Sequence, residues 1–262
     1  MDNKDETEAT MNTDSNGQAA PAIGKAFRIL EYLAHAPGGR NLKDIHETLG
    51  MPKTSTHSIL RALAACAVVK RTPDGLYHPG IKLYTLGVSA RGVLETSRPL
   101  LPRLQELRDE LQQTVFFSLF DNGEQVVWEK ADGPGGVLFK AFRGERKRMN
   151  TSSAGKAIAA HLPENELNAV LARGMAKATP KSIATPEAFL DHLETVRERG
   201  YAVDDEEGEP GVFCIGVPVF ARDHLVYGAV SVSTLKSTLR AGDAETYVQA
   251  LQCAARDLSE LL

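Results

Sequence analysis

The chain has 262 residues, enough for about two domains, and its 42% hydrophobic and 24% charged residues are typical of a soluble globular protein. No apolar run is long enough to cross a bilayer, and the polar N-terminus lacks the apolar segment of a secretory signal, so we expect a cytoplasmic protein without a membrane partner. The cysteines Cys66, Cys214 and Cys253 are widely spaced and odd in number, which indicates reduced thiols rather than a disulfide framework or a zinc site.

The net charge of −4 is unevenly distributed along the chain. Residues 1–20 contain one Lys and five acidic residues, and residues 86–262 contain twenty basic and twenty-five acidic residues. Residues 21–85, in contrast, contain nine Lys or Arg and four Asp or Glu. A single positive segment is typical of a small DNA-reading domain attached to a larger domain with another role.

The N-terminal segment predicts a tail followed by a helix. Residues 1–20 are polar and lack apolar periodicity, so we expect them to be disordered. A helix is predicted from Gly24 to Ala34, and Pro37-Gly38-Gly39 ends it. The predicted apolar face of this helix consists of Ile23, Ala26, Phe27, Leu30 and Leu33.

Residues 42–63 predict two helices joined by a tight turn. The first helix is marked by apolar residues at helical spacing, namely Leu42, Ile45 and Leu49, after the capping residue Asn41. Gly50 stops this helix because glycine accepts a left-handed conformation, and Pro52 suits the first position of the next helix. The apolar side of the second helix is formed by Thr56, Ile59, Leu60 and Leu63.

The outer face of the second helix carries hydroxyls, an imidazole and two cations, and no carboxylate. A face of this kind suits a DNA major groove, because cations neutralise phosphate and short polar side chains allow approach to base edges. An ordinary solvated surface on a helical hairpin is the alternative. The candidate DNA-contacting residues are Lys53, Thr54, Ser55, His57, Ser58 and Arg61.

A wing is predicted after the second helix. Residues 67–69 and 76–77 favour short strands around the turn Thr72-Pro73-Asp74-Gly75. Lys70, Arg71 and His78 would then lie where a wing meets the DNA backbone, and Arg71 is included among the DNA-binding candidates.

Residues 86–113 predict a linker helix, interrupted near Gly92 and Pro99. Its apolar residues Leu101, Leu104, Leu107 and Leu111 recur at three or four residues between charged neighbours. This stripe suits a connector or a dimer seam, and packing on the C-terminal domain is an equally good interpretation.

Residues 114–262 predict a second domain of strands and helices. Strands are predicted at 115–119, 125–129, 137–142, 212–220 and 225–233, and helices at 153–161, 164–173, 186–199 and 243–261. Thr185 and Asp243 are candidate caps of the last two helices. Hairpin strands with helices between and after them favour an α+β domain built on one antiparallel sheet.

Seven motifs, in order over residues 21–262, resemble the IclR family of bacterial transcriptional regulators. They are Ala26-Phe27-Arg28-Ile29-Leu30-Glu31, Met51-Pro52-Lys53-Thr54-Ser55-Thr56-His57, Tyr77-His78-Pro79-Gly80, Thr151-Ser152-Ser153-Ala154-Gly155-Lys156-Ala157, Gly200-Tyr201-Ala202-Val203-Asp204-Asp205-Glu206-Glu207, Gly211 through Cys214-Ile215 to Pro218, and Ser231-Val232-Ser233. The resemblance implies a winged helix-turn-helix domain, a linker helix and a GAF-like effector domain, assembled as dimers or pairs of dimers. Family members often carry Arg after the recognition-helix His, where this chain has Ser58.

Residues 152–156 predict a helix start, where exposed backbone N–H groups favour an anion. A phosphate-binding P-loop does not fit, because Asn150 and Ala157 replace residues that it requires. The resemblance places effector contacts at Ser153, Ala154, Asp204, Cys214, Ser231 and Ser233, with Phe139, Met149 and Val212 as an apolar wall. Small residues on a sheet face and a buried cysteine are the alternative interpretation of the serines and the thiol.

These observations predict a sequence-specific, homo-oligomeric DNA-binding regulator controlled by a small organic ligand, which we expect to be a carboxylic acid from a catabolic pathway. The main alternative is a DNA-binding protein whose second domain only oligomerises. An enzyme that uses Cys214 as nucleophile, with His161, His192 or His224 as base, is a remote alternative, because the apolar surroundings of Cys214 raise a thiol pKa. No His or Cys spacing indicates a metal site, and no cofactor is expected.

Overall fold

The computed structural model describes residues 21–94, 100–134, 139 and 141–261, without the side chains of residues 91–94 and 261. The predicted tail, residues 1–20, lies outside the described residues. The chain divides into two compact units, Met1–Leu94 and Glu95–Leu262, and each is described by itself.

The N-terminal unit consists of helices and a two-stranded sheet. Its elements are α1 (Pro21–Ala34), α2 (Leu42–Thr48), α3 (Lys53–Ala65), β1 (Val69–Arg71), β2 (Tyr77–Pro79) and α4 (Ile81–Leu94). Strands β1 and β2 pair antiparallel. The core of this unit contains Ile29, Leu33, Ile45, Met51, Leu60, Val69 and Tyr77.

The turn between α2 and α3 forms as its residues predict. The side chain of Asn41 accepts a hydrogen bond of 2.9 Å from the backbone N–H of Asp44 at the start of α2. Gly50 has φ +61°, which glycine adopts without the penalty of a Cβ. Pro52, which we expect at the first helical position, stands instead at the N-cap, one position before the first residue of α3, Lys53.

Further details of the N-terminal unit differ from the sequence prediction. Ile23 and Phe27 are 59% and 60% exposed, because α1 buries a stripe centred on Ile29 and Leu33 instead. The first strand begins at Val69 rather than at residue 67, since Ala67 has φ +58°, which is incompatible with an extended strand.

The C-terminal unit is a six-stranded antiparallel sheet with helices on both faces. The sheet has the order β5-β4-β3-β8-β7-β6. The strands are β3 (Thr114–Asp121), β4 (Glu124–Ala131), β5 (Arg146–Arg148), β6 (Ala202–Asp205), β7 (Val212–Phe220) and β8 (Val226–Leu235). The helices are α5 (Leu100–Leu111), α6 (Ser153–Ala159), α7 (Glu164–Ala172), α8 (Pro186–Arg199) and α9 (Asp243–Leu261).

Each face of the sheet has its own hydrophobic core. On one face, Val115, Phe117 and Val232 pack with residues of α5 and α9. On the other, Ala229 packs with residues of α6, α7 and α8. This is the mixed α and β architecture on one antiparallel sheet that the sequence predicts.

Helix α5 lies in the segment predicted as a linker. Leu104, Leu107 and Leu111 are buried in the core that includes α9, and Arg103 forms an ion pair of 2.8 Å with Asp257 of α9. Its apolar stripe therefore packs on its own unit rather than forming an exposed seam.

Three strand assignments differ between sequence and structure. The strand predicted at 137–142 lies largely outside the described residues, and residues 139, 141 and 142 are not in a strand. Strands β5 and β6 are additional. Strand β5 has the sequence Arg-Lys-Arg and no apolar alternation, and it forms because the edge of β4 supplies backbone partners for it.

Candidate functional site

A cavity of about 430 Å³ lies in the C-terminal unit, lined by the sheet, the start of α6 and the turn after β6. Its size is within the range of pockets that hold small organic molecules. The lining residues are Phe116, Gln125, Val127, Phe139, Ala141, Glu145, Lys147, Arg148, Thr151, Ser152, Ser153, Ala154, Asp204, Gly208, Glu209, Val212, Cys214, Ser231 and Ser233.

Strand register brings the polar residues of the cavity floor together. Ser233 of β8 is opposite Cys214 of β7, and Cys214 is opposite Asp204 of β6. Ser231 is opposite Phe116 of β3. Because residues two apart on a strand share a face, Ser231 and Ser233 point to the same side of the sheet.

The start of α6 closes one wall of the cavity. The Ser152 hydroxyl accepts a hydrogen bond of 3.0 Å from the backbone N–H of Gly155 and donates to the side-chain oxygen of Gln125. A Cβ on Gly216 would lie 2.7 Å from the carbonyl carbon of Ser153, so glycine permits α6 to approach β7. Ser153 and Ala154 consequently border the cavity.

Asp204 is a buried carboxylate in the cavity wall. Its Oδ1 accepts hydrogen bonds of 2.7 Å from the N–H of Glu207 and 3.2 Å from that of Gly208. Burial is the main reason that the pKa of Asp204 rises to about 6, against the lowering effect of these hydrogen bonds and of Lys156. The carboxylate can therefore change charge near neutral pH.

A buried ion pair links α6 to the turn after β6. Lys156 is fully buried and its Nζ donates to Glu207 Oε2. Burial lowers the pKa of Lys156, and the carboxylates of Glu207 and Asp204 oppose this effect. The pair satisfies a charge that would otherwise be very unfavourable in the interior, and it joins two walls of the cavity.

Cys214 has the environment of an unreactive thiol. Its Sγ lies 3.0 Å from Ser233 Oγ. Burial, followed by the negative charge of Asp204, raises its pKa to about 12. The thiol is therefore protonated at neutral pH.

Eight of the nine effector-contact candidates line this cavity: Phe139, Ser153, Ala154, Asp204, Val212, Cys214, Ser231 and Ser233. Met149 does not, because it is buried in the core beneath α6. Sequence reasoning missed the polar side chains contributed by β4 and by the segment leading into α6, including Gln125, Glu145, Lys147 and Arg148. Only the basic run at 146–148 could have indicated them.

The DNA-contact candidates lie on the surface of α3. Lys53, Thr54, His57, Ser58 and Arg61 are exposed and Ser55 is half-buried, whereas Thr56 and Leu60 are buried. Within the part of the chain that the structure describes, the five exposed side chains make no hydrogen bonds or ion pairs. Thr56 instead donates a hydrogen bond of 3.0 Å to the carbonyl of Pro52.

The wing supplies a further cation at the surface. Arg71, at the end of β1, is exposed, and its guanidinium lies 5.6 Å from the centre of the Tyr77 ring on β2. Tyr77 itself is buried, so the ring holds the guanidinium against the wing.

No described helix is long and apolar enough to span a membrane. In the same residues, no group of three or more His, Cys, Asp or Glu side chains is arranged to hold a metal ion.

The chain matches known proteins over nearly all of its length. Residues 22–73 match the model of the IclR helix-turn-helix domain, and residues 88–260 match that of the bacterial transcriptional regulator IclR C-terminal domain. The HTH-type transcriptional regulator XynR of Escherichia coli K12 is 31% identical over 243 residues, which is 92% of this chain and 96% of that protein.

Solved structures show the same architecture. An IclR transcriptional regulator from Alicyclobacillus acidocaldarius has a TM-score of 0.79 and 28% identity, over 92% of this chain and 98% of that one. An IclR homologue from Microbacterium hydrocarbonoxydans, complexed with 4-hydroxybenzoate, shares the fold with a TM-score of 0.75 and 20% identity, over 92% and 98% of the two chains. The chain belongs to the IclR family of bacterial transcriptional regulators.

Proposed function

We propose that the exposed face of α3 reads operator DNA and that the cavity of the C-terminal unit binds a small organic acid that controls this binding. The observation that carries the proposal is the outward row of Lys53, Thr54, His57, Ser58 and Arg61, whose polar groups have no partners within the described residues. These side chains combine phosphate-neutralising cations with short groups that can approach base edges. Arg71 on the wing would contact the DNA backbone.

The cavity supports an organic acid as effector. Lys147 and Arg148 contribute positive charge to its lining, and Ser231, Ser233 and Ser153 contribute hydroxyls. Phe116, Phe139, Val127 and Val212 provide an apolar wall for a carbon skeleton. The 4-hydroxybenzoate in the Microbacterium hydrocarbonoxydans homologue is a molecule of this class.

Effector control requires that the ligand bind one conformational state better than another. We place the C-terminal part of this coupling in α6, because its first turn lines the cavity and Lys156 anchors it to Glu207. A ligand that moved the start of α6 would also strain this buried ion pair.

Oligomerisation belongs to the same proposal. Helix α4 exposes Ile81, Tyr84 and Val88, which share one face at spacings of three and four residues. An apolar face of this kind is typical of a contact between subunits, and we place a dimer contact there, with a dimer or tetramer as the functional form in the cytoplasm.

Two alternatives predict different behaviour. A regulator whose C-terminal unit only oligomerises would bind DNA equally well with and without any cavity ligand. An enzyme based on Cys214 is disfavoured, because a thiol with a pKa of about 12 supplies almost no thiolate nucleophile at neutral pH.

The experiment compares DNA from the region upstream of the gene with a scrambled sequence of the same length in mobility-shift titrations. The wild-type protein should prefer the upstream DNA, and a thermal-shift screen of small carboxylic acids should identify ligands that stabilise it. Equal affinity for both DNAs would contradict sequence-specific recognition. Substrate turnover that is lost only in Cys214→Ala would revive the enzymatic alternative.

A further inference from the structure

Arg148 is a cation at the cavity whose hydrogen bonds are incomplete. It is the last residue of β5 and lines the cavity. Its Nη1 is buried and has no hydrogen-bond partner in the portion of the chain that the structure describes. A buried guanidinium N–H without an acceptor is unfavourable, so this group is suited to an acceptor that arrives with a ligand.

In contrast to Arg148, the neighbouring Arg146 on the same strand has acidic hydrogen-bond partners. Its Nη1 donates a hydrogen bond of 2.7 Å to Asp121 Oδ2, and its Nε donates one of 2.9 Å to Glu124 Oε2. Glu124 is opposite Arg148 in the strand register, but its carboxylate pairs with Arg146 and with Arg173. Among the ion pairs of the described residues, none joins Glu124 to Arg148.

The acidic residues of the cavity lining do not form ion pairs with Arg148 within the described residues. Glu145 lies 4.0 Å from Lys147 Nζ and accepts a hydrogen bond from the N–H of Phe142. Asp204 uses Oδ1 for two backbone N–H groups, whereas its Oδ2 accepts no hydrogen bond from the described residues. Glu209 is exposed. The cavity thus offers an unused charged donor and an unused carboxylate acceptor.

We propose that Arg148 binds the carboxylate of the effector, in addition to the contacts that the family resemblance places at Asp204 and at the two serines of β8. The guanidinium matches a carboxylate through two parallel N–H donors, which fixes orientation as well as charge. The effector class is therefore a carboxylate whose acid group lies against β5. This inference rests on the proposed function, since it names the ligand class of the same site.

The test measures binding of glycolate, D-gluconate and 4-hydroxybenzoate, and the thermal stabilisation that each causes, for the full-length protein and two variants. Ionic strength is held constant, and chloride serves as the reference anion. Arg148→Gln removes the proposed contact. Arg146→Gln is the matched control, because it removes the same charge from the same strand but lies outside the cavity lining. At least one hydroxycarboxylate should stabilise the wild type, bind Arg146→Gln with similar affinity and bind Arg148→Gln about 10- to 100-fold more weakly.

Three outcomes would overturn the inference. Equal weakening in both variants would show general electrostatic attraction. Unchanged binding in Arg148→Gln would exclude the contact. Absence of stabilisation of the wild type by all three acids would contradict a carboxylate contact at Arg148. The proposed function fails separately, if no small acid that binds the protein changes its affinity for upstream DNA.

Discussion

Arg61 tests the recognition face at the scale of a single residue. Its side chain is exposed on α3 and forms no hydrogen bond or ion pair with the residues that the structure describes. If it contacts a base, Arg61→Ala should weaken binding to the upstream DNA by about 1–3 kcal/mol and have less effect on scrambled DNA. Mobility-shift titrations on both DNAs measure this difference.

Arg61→Lys is the matched control, because it retains the charge but loses the two-donor geometry that pairs with guanine. Full recovery of affinity in Arg61→Lys, or equal loss on both DNAs in Arg61→Ala, would show that Arg61 contacts phosphate only. Ser58 is the neighbouring position where the resemblance to the family leads us to expect a different operator preference.

His192 makes stability depend on pH. Burial, followed by the charges of Lys156 and Arg199, lowers the pKa of His192 from 6.5 to about 4. The folded protein binds fewer protons than the unfolded chain between these values. The stabilisation from a neutral His192 is therefore fully present above pH 6.5 and is lost as the pH falls towards 4, by at most about 1.4 kcal/mol per pH unit.

Urea unfolding at pH 7.5 and pH 5 should accordingly show a smaller loss of stability in His192→Gln than in the wild type. Asp204 acts in the opposite sense, because its pKa is raised from 3.8 to about 6 and its contribution is lost as the pH rises. Because both proteins contain Asp204, its contribution cancels when their losses of stability are compared. The same loss of stability at acid pH in both proteins would contradict a neutral, half-buried His192.

At the scale of elements, the approach of α6 to β7 shapes the cavity. A Cβ on Gly216 would meet backbone atoms of Ser153 and Ala154 at 2.7 and 2.8 Å, and backbone cannot move away as a flexible side chain can. Gly216→Ala should lower the free energy of unfolding by about 1–3 kcal/mol. Chemical denaturation measures the change.

Gly87→Ala is the control for the loss of a glycine, because nothing lies within 4 Å of a Cβ at that position in α4. It should be neutral or stabilising by about 0.5–1 kcal/mol. A Gly216→Ala protein as stable as Gly87→Ala would show that α6 is not held tightly against β7.

Elements with strong local signals could be predicted from the sequence. Helix α8 has a capping threonine, a proline in its first turn and a left-handed glycine after its end, and it was expected at its observed bounds. Strand β5 had no such signal, because its pairing depends on the edge of β4. The same reason explains the cavity residues. The serines are expected from the resemblance, whereas Lys147 and Gln125 come together only through the register of β4 and β5.

At the scale of the whole molecule, the apolar face of α4 predicts assembly. Tyr84 and Val88 are 69% and 54% exposed. The double variant Tyr84→Glu plus Val88→Glu would place two charges in the proposed subunit contact and should shift the protein towards monomer in sedimentation experiments. The control Gln105→Glu, on an exposed position of α5, should not. Unchanged assembly in the double variant would place the subunit contact elsewhere.

Control of DNA binding by the cavity can be measured directly. The measurement is the dissociation constant for upstream DNA, by fluorescence anisotropy, with and without an acid identified by thermal shift, for the wild type and for Ser231→Ala plus Ser233→Ala. We predict equal DNA affinity for both proteins without the acid, a change of about 5- to 150-fold in the wild type with it, and no change in the double variant. An identical response in both proteins, or no response in either, would contradict control of DNA binding from this cavity.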